Sequence, residues 1–139
     1  MADPRVASLK AVPIFAHCTD RQLAFIVTQV EDMEFKVGKV LCREGQSGAD
    51  FFILLSGEAA VTRGGQGVAT MQPGDFFGEI ALVDGGKRTA SVTATTDCRC
   101  LVLGPQQFQN VLHQDADIAT AVMKALGARV RETGGARAD

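Results

Sequence analysis

Tryptophan and tyrosine are absent from this 139-residue chain, and histidine occurs only twice. Without Trp or Tyr, intrinsic fluorescence is a poor reporter, and eight phenylalanines supply all the aromatic content. A metal enzyme on a β-barrel needs two or three histidines and a carboxylate converging inside the barrel. His17 and His113 stand near opposite ends of the chain, outside its strand-rich middle, so no such ligand set is available and no metal is expected. No Ser-His or Cys-His constellation is evident either, so the chain is read as non-catalytic and without a cofactor. The four cysteines, Cys18, Cys42, Cys98 and Cys100, show no zinc-type spacing and read as buried free thiols of a reducing compartment. A basic excess is also missing: 14 Lys and Arg stand against 16 Asp and Glu. That balance opposes nucleic-acid binding, which needs a basic face to neutralise phosphates. No apolar run approaches the roughly 20 residues that span a bilayer. Residues 1–10 carry no apolar segment behind a basic start, so a secretory signal is not expected. These absences point to a cytoplasmic protein that binds neither membrane nor nucleic acid.

Glycine, by contrast, is plentiful, with 15 residues. Most of them fall between residues 31 and 104, beside short β-like runs at 32–36, 39–43, 50–56, 58–63, 67–71, 88–94 and 97–103. Many short strands with frequent turn signals predict an antiparallel sandwich or barrel, and the lack of a βαβ rhythm opposes a Rossmann-type sheet. Helical patterns flank this middle. Thr19 to Gln22 has the form of a capping box, and Leu23, Phe25, Ile26, Val27 and Val30 follow on one broad face. Ahead of it, Pro13-Ile14-Phe15 predicts a short turn that buries Phe15. After Gly104-Pro105, Phe108, Val111 and Leu112 share a helical face. A further segment begins near Asp115 with Ile118, Val122, Met123, Leu126 and Val130 at helical spacing. Residues 1–133 read as a single domain and 134–139 as a disordered tail.

The stretch from Pro73 to Val92 carries the chemistry. Pro73-Gly74 signals a type II turn. A short helical turn over 79–83, opened by Gly78, would leave backbone N–H groups unpaired, with the helix dipole behind them, ready for an anion. Arg88 opens the next strand after Gly85-Gly86, and a guanidinium grips phosphate through two parallel charge-assisted bonds. Glu79 would repel a phosphate on its own. It becomes useful when the ligand also offers a hydroxyl, as a ribose 2′-hydroxyl beside a 3′,5′-cyclic phosphate does. The plainer reading of Glu79 and Arg88 is an exposed ion pair of small energetic weight; Val61 and Val68 read equally as ordinary core, and Thr89 as an ordinary strand residue.

Residues 77–91 resemble the phosphate-binding cassette of the cyclic nucleotide-binding domain family, found in the catabolite activator protein, cyclic-nucleotide-dependent kinases and gated channels. The family pattern, Phe-Gly-Glu-(Leu/Ile)-Ala-Leu followed after variable residues by Arg-(Thr/Ser/Ala)-Ala-(Ser/Thr), is met at every fixed position by Phe77 to Leu82 and Arg88 to Ser91. Arg43-Glu44-Gly45, Gly48, Phe52, Ile53, Gly57 and Val61 resemble the family's strand-and-glycine framework, and the likeness extends over about residues 9–131. The resemblance implies a mainly β fold with flanking helices: an antiparallel jelly-roll (double-stranded β-helix) barrel with an N-terminal helix and C-terminal hinge and lid helices. It implies that Glu79 accepts from the ribose 2′-hydroxyl and that Arg88 pairs with the cyclic phosphate. Backbone N–H groups around Ile80, Ala81 and Ala90 would complete the phosphate shell, with Phe77 and Gly78 shaping its approach. Thr89 stands where a hydroxyl meets the phosphate and, in cGMP-preferring relatives, the guanine amino group. Val61 and Val68 match positions that wall the base. Met123, Leu126, Arg129 or Val130 would cap it from the lid helix, whose apolar stripe could alternatively pair two copies of the chain.

The expected function is thus a cyclic nucleotide sensor, for cAMP or cGMP, signalling to a separate output protein. The alternative is a degenerate domain that serves only as a protein scaffold. A DNA-binding activator of this type would need roughly 60 to 80 further residues, so the chain is expected to be a free-standing receptor or a piece of a larger protein.

Overall fold

The computed structural model describes residues 4–12, 15–48, 50–78, 87–114, 116–120, 123–124 and 127. In chain order its elements are α1 (Pro4–Lys10), α2 (Asp20–Val27), β1 (Glu31–Phe35), β2 (Val40–Cys42), β3 (Phe51–Ser56), β4 (Ala59–Arg63), β5 (Gln66–Met71), β6 (Phe76–Phe77), β7 (Ser91–Ala94), β8 (Cys98–Leu103) and α3 (Pro105–Gln114). Residues 116–120 are again helical. The chain falls into two compact units, one of residues 30–108 and one formed by the terminal segments 1–29 and 109–139.

In the terminal unit the capping box forms as its residue types dictate. Gln22 N–H donates to Thr19 Oγ1 at 3.1 Å, and Thr19 N–H donates to Gln22 Oε1 at 2.8 Å. Two otherwise orphaned donors are satisfied reciprocally, which sets the start of α2. Leu23 and Ile26 of α2 are fully buried, as are Leu9 of α1 and, as expected, Phe15. Helix α1 has no counterpart in the sequence reading: its seven residues make about two turns and bury only Leu9, too little to show a period. Pro13, Ile14 and the tail 134–139 lie outside the described residues.

The central unit holds two four-stranded antiparallel sheets, ordered β1-β8-β3-β6 and β2-β7-β4-β5. The expected barrel is therefore two open sheets, with β1 and β6 at the edges of one and β2 and β5 at the edges of the other. Their inner faces share one core. Phe52, Leu54, Phe77, Cys98, Cys100 and Val102 from the first sheet join Cys42, Ala59, Val61, Val92 and Ala94 from the second. Period-two alternation places these residues on one face, and the register agrees, with Phe52 opposite Val102 and Leu54 opposite Cys100. β3 and β8 are buried on their other face too, where Phe51, Ile53, Leu101 and Leu103 are fully covered. Phe51 packs there against Phe76 and Phe108, at centroid distances of 5.6 and 5.2 Å.

Two sequence assignments are corrected. β6 was not expected, because two residues are too few to display a period. The strand expected from Arg88 begins only at Ser91. Residues 87 and 88 instead pair with the loop after β2: Lys87 bridges Ser47, Gly45 N–H donates to Arg88 O at 2.9 Å, and Arg88 N–H donates to Gln46 O at 2.9 Å.

All four cysteines are buried free thiols. Cys98 Sγ donates to the carbonyl of Glu58 at 3.2 Å. Burial, with Cys98 next in weight and then Asp32 and Cys42, pushes the Cys100 thiol up from 9.0 to about 12. An acid whose folded pKa is raised stabilises the fold below its unfolded pKa and loses that contribution as pH rises through the folded value. Denaturant titrations should therefore show stability falling between about pH 9 and about pH 12, with a shallower fall in Cys100→Ala.

Candidate ligand-binding site

The cassette's entrance is built from a turn and a stacked pair of rings. Asp75 N–H donates to Gln72 O at 3.0 Å, closing a turn around Pro73-Gly74 with Gly74 at φ 96°, the conformation a type II turn needs at its third position. The turn is pinned to β3 by Leu54 N–H donating to Asp75 O at 2.9 Å and Gly74 N–H donating to Leu54 O at 2.8 Å. The chain then runs along β3 as β6, and Phe77 stacks on Phe52 with centroids 4.8 Å apart and planes 8° from parallel. Both rings belong to the core, so the position of the next residue is firmly set.

That residue is Gly78, at φ 94°. An added Cβ would lie 2.4 Å from the Asp50 carbonyl oxygen and 2.9 Å from Arg88 Nη1, so only glycine fits both the backbone and the space. The cassette's exit is held by the same contacts. Arg88 Nη1 donates to Gly78 O at 3.1 Å, and Arg88 Nη2 donates to Asp50 O at 2.8 Å. Gly48 lies beneath the guanidinium, where a Cβ would come within 2.9 Å of Nε.

Arg88 is 9% exposed, and among the described residues both of its hydrogen-bond partners are neutral carbonyls. Carbonyls satisfy two of its five N–H donors without supplying a countercharge. A desolvated cation in that situation favours a nearby anion. The profile of the family described as the cyclic nucleotide-binding domain matches residues 32–115, which include this whole segment. The chain belongs to the cyclic nucleotide-binding domain family.

Among relatives of this cyclic nucleotide-binding domain, a cAMP-dependent protein kinase regulatory subunit of Hypocrea atroviridis is 40% identical over 104 residues. The match covers 75% of this chain and 22% of that protein, so the chain spans about a fifth of the relative's length. The catabolite activator protein of Thermus thermophilus has a similar structure, with TM-score 0.80 and 26% identity over 86% of this chain and 59% of its own. The regulatory domain of Toxoplasma gondii PKA, solved with cAMP, gives TM-score 0.78 and 26% identity over 91% of this chain and 48% of its own.

Of the residues singled out from the sequence, Phe77, Gly78 and Arg88 are brought together at the two ends of the cassette. Glu79, Ile80 and Ala81, with the helical turn expected over 79–83, lie outside the described residues. Thr89 is exposed, and Ala90 is half-buried against the central core. Val61 is buried in that core, whereas Val68 is 36% exposed. The two are not register partners: Val61 faces Ala69 and Thr62 faces Gly67, which makes Val68 the extra residue of a bulge. Met123 is 69% exposed in the terminal unit, and Leu126, Arg129 and Val130 lie outside the described residues. One contributor escaped the sequence reading: Asp50 acts through its carbonyl, which leaves no side-chain signature. Among the described residues there is no cluster of His, Cys, Asp or Glu able to hold a metal, and no helix is long and apolar enough to cross a membrane.

Proposed function

We propose that this chain binds a cyclic nucleotide, cAMP foremost and cGMP as the competing ligand, and acts as a non-catalytic regulatory module. The observation that carries this reading is the buried Arg88, which ties both ends of the cassette together while its charge faces only neutral partners among the described residues. The cyclic phosphate would compensate that charge through the donors the two carbonyls leave over. Glu79 would accept from the ribose 2′-hydroxyl, and N–H groups of Ile80, Ala81 and Ala90 would complete the anion shell. Val61 and Val68 would flank the base, with Met123, Leu126, Arg129 or Val130 closing over it from a C-terminal lid helix. The two sheets would form the halves of a jelly roll. The kinase regulatory subunit among the relatives supports cAMP as ligand and a separate output protein as partner. A ligand shifts the lid only as far as its affinity differs between the open and closed states.

Calorimetric titration of verified ligand-free protein with cAMP and then cGMP tests the reading. Micromolar or tighter binding of either is the expected result. Folded protein that gives no binding to either would overturn it in favour of a protein-interaction scaffold.

A further inference from the structure

Thr89 exposes its side chain beside Arg88, yet its backbone sits just beyond the ladder that would ordinarily fix it. The β4–β7 pairing runs from Ala59 opposite Ala94 to Thr62 opposite Ser91, and ends there. One step further, the side chain of Arg63 takes over, with Nε donating to Thr89 O at 3.1 Å. Glu44 fastens the same two segments from the other side. Its Oε1 accepts from Gly64 N–H at 2.9 Å, and its own N–H donates to Ser91 Oγ at 2.9 Å. The tip of the β4–β5 hairpin is thus strapped to both flanks of residue 90. On the preceding side, Arg88 exchanges two backbone bonds with Gln46 and Gly45. Thr89 is the junction between those two fixed stretches, and Arg63 is the side chain that holds its carbonyl.

We infer that Arg63 is a positioning residue for nucleotide selectivity: it sets the direction of the Thr89 hydroxyl and so the balance between guanine and adenine ligands. This rests on the reading of the site as a cyclic nucleotide pocket. The physical reason lies in how the two ligand parts are recognised. The phosphate is gripped by Arg88, whose own tethers to Asp50 and Gly78 do not involve Arg63. A hydroxyl that accepts from the exocyclic amino group of guanine has no such counterpart on C2 of adenine. Hydrogen bonds weaken steeply once the angle departs from linear, so a small turn of Thr89 costs cGMP its amino contact on top of any phosphate contact that both nucleotides share, and penalises cGMP more than cAMP. Glu44 keeps the hairpin in place, so that Arg63 reaches its acceptor.

The test is competitive binding of cAMP and cGMP to the full chain as wild type, Arg63→Ala, Arg63→Lys and Thr89→Ala. Arg63→Ala should lower the cGMP-to-cAMP affinity ratio by roughly 3- to 10-fold, the worth of one hydrogen bond. Arg63→Lys, which retains a donor, should recover much of it. In a Thr89→Ala background, Arg63→Ala should leave the ratio unchanged, because the two act through one group. Equal losses for both nucleotides would mark Arg63 as a structural strap only and overturn the inference, as would an unchanged ratio. Wild-type protein that binds cAMP but shows no measurable cGMP binding would overturn it as well. If Arg63→Ala does not fold, Arg63→Lys against Thr89→Ala decides by the same ratio. Wild-type protein that binds neither nucleotide would instead sink the underlying functional reading.

Discussion

Arg88→Ala should weaken cyclic nucleotide binding by roughly 10- to 150-fold, the equivalent of about 1.5–3 kcal/mol for a hydrogen bond to a charged group. The sequence alone would assign that loss to the phosphate contact and leave the fold untouched. The structure adds a second effect. Arg88 is the tether between Gly78 and Asp50, so its removal releases both ends of the cassette and strands two carbonyls at a site from which water is largely excluded. A modest fall in thermal stability should therefore accompany the loss of affinity, and it should appear without any ligand present. Arg88→Lys should rescue little. An ammonium is a point charge that cannot reproduce a planar fork holding two carbonyls and a phosphate at once. Titration calorimetry and a dye-reported melt check the two halves separately; unchanged affinity in the folded mutant would remove Arg88 from the site.

Phe51→Ala should be the most damaging single change to stability, at about 3–5 kcal/mol. Phe51 is fully buried, and its ring lies 5.2 Å from Phe108 and 5.6 Å from Phe76. Truncation removes buried apolar surface and opens a cavity between β3, β6 and the start of α3, walls that are themselves parts of regular elements and collapse poorly. At roughly 2–8 °C per kcal/mol for domains bracketing this size, the midpoint should drop by about 10 °C or more. Val68→Ala makes a useful contrast, because that side chain is partly exposed at a bulge and should change stability by no more than about 0.5 kcal/mol. Circular dichroism melts decide it. A Phe51→Ala midpoint within a few degrees of wild type would contradict the two-faced burial of β3. Binding should fall too, since residue 50 carries the carbonyl that holds Arg88.

The proposed site is a reading of residue types at short range, of which the structure brings Phe77, Gly78 and Arg88 together while Glu79 lies outside the described residues. Phe77-Gly78-Glu79 and Arg88-Thr89-Ala90-Ser91 state an anion site and a hydroxyl acceptor within one stretch of chain. The same holds for the Thr19–Gln22 cap and the Pro73-Gly74 turn, where the partners are three residues apart. Legibility fell where the decisive group was a backbone atom or a distant side chain. Asp50 contributes a carbonyl, which every residue has, and Arg63 meets Thr89 26 positions away.

By itself, then, the sequence determined the local elements: helical ends, a glycine-punctuated β middle, the turn before the cassette, and the residue types from which a cyclic phosphate ligand is proposed. Tertiary structure alone decided the rest. It made two open sheets with a shared core where a sandwich or jelly-roll barrel was expected, ended the β4–β7 ladder at Ser91 rather than Arg88, and buried the arginine between two carbonyls. The physical reason is range. Propensity and periodicity act over a few residues, whereas register, burial and the choice of a backbone acceptor depend on which segments meet across the core.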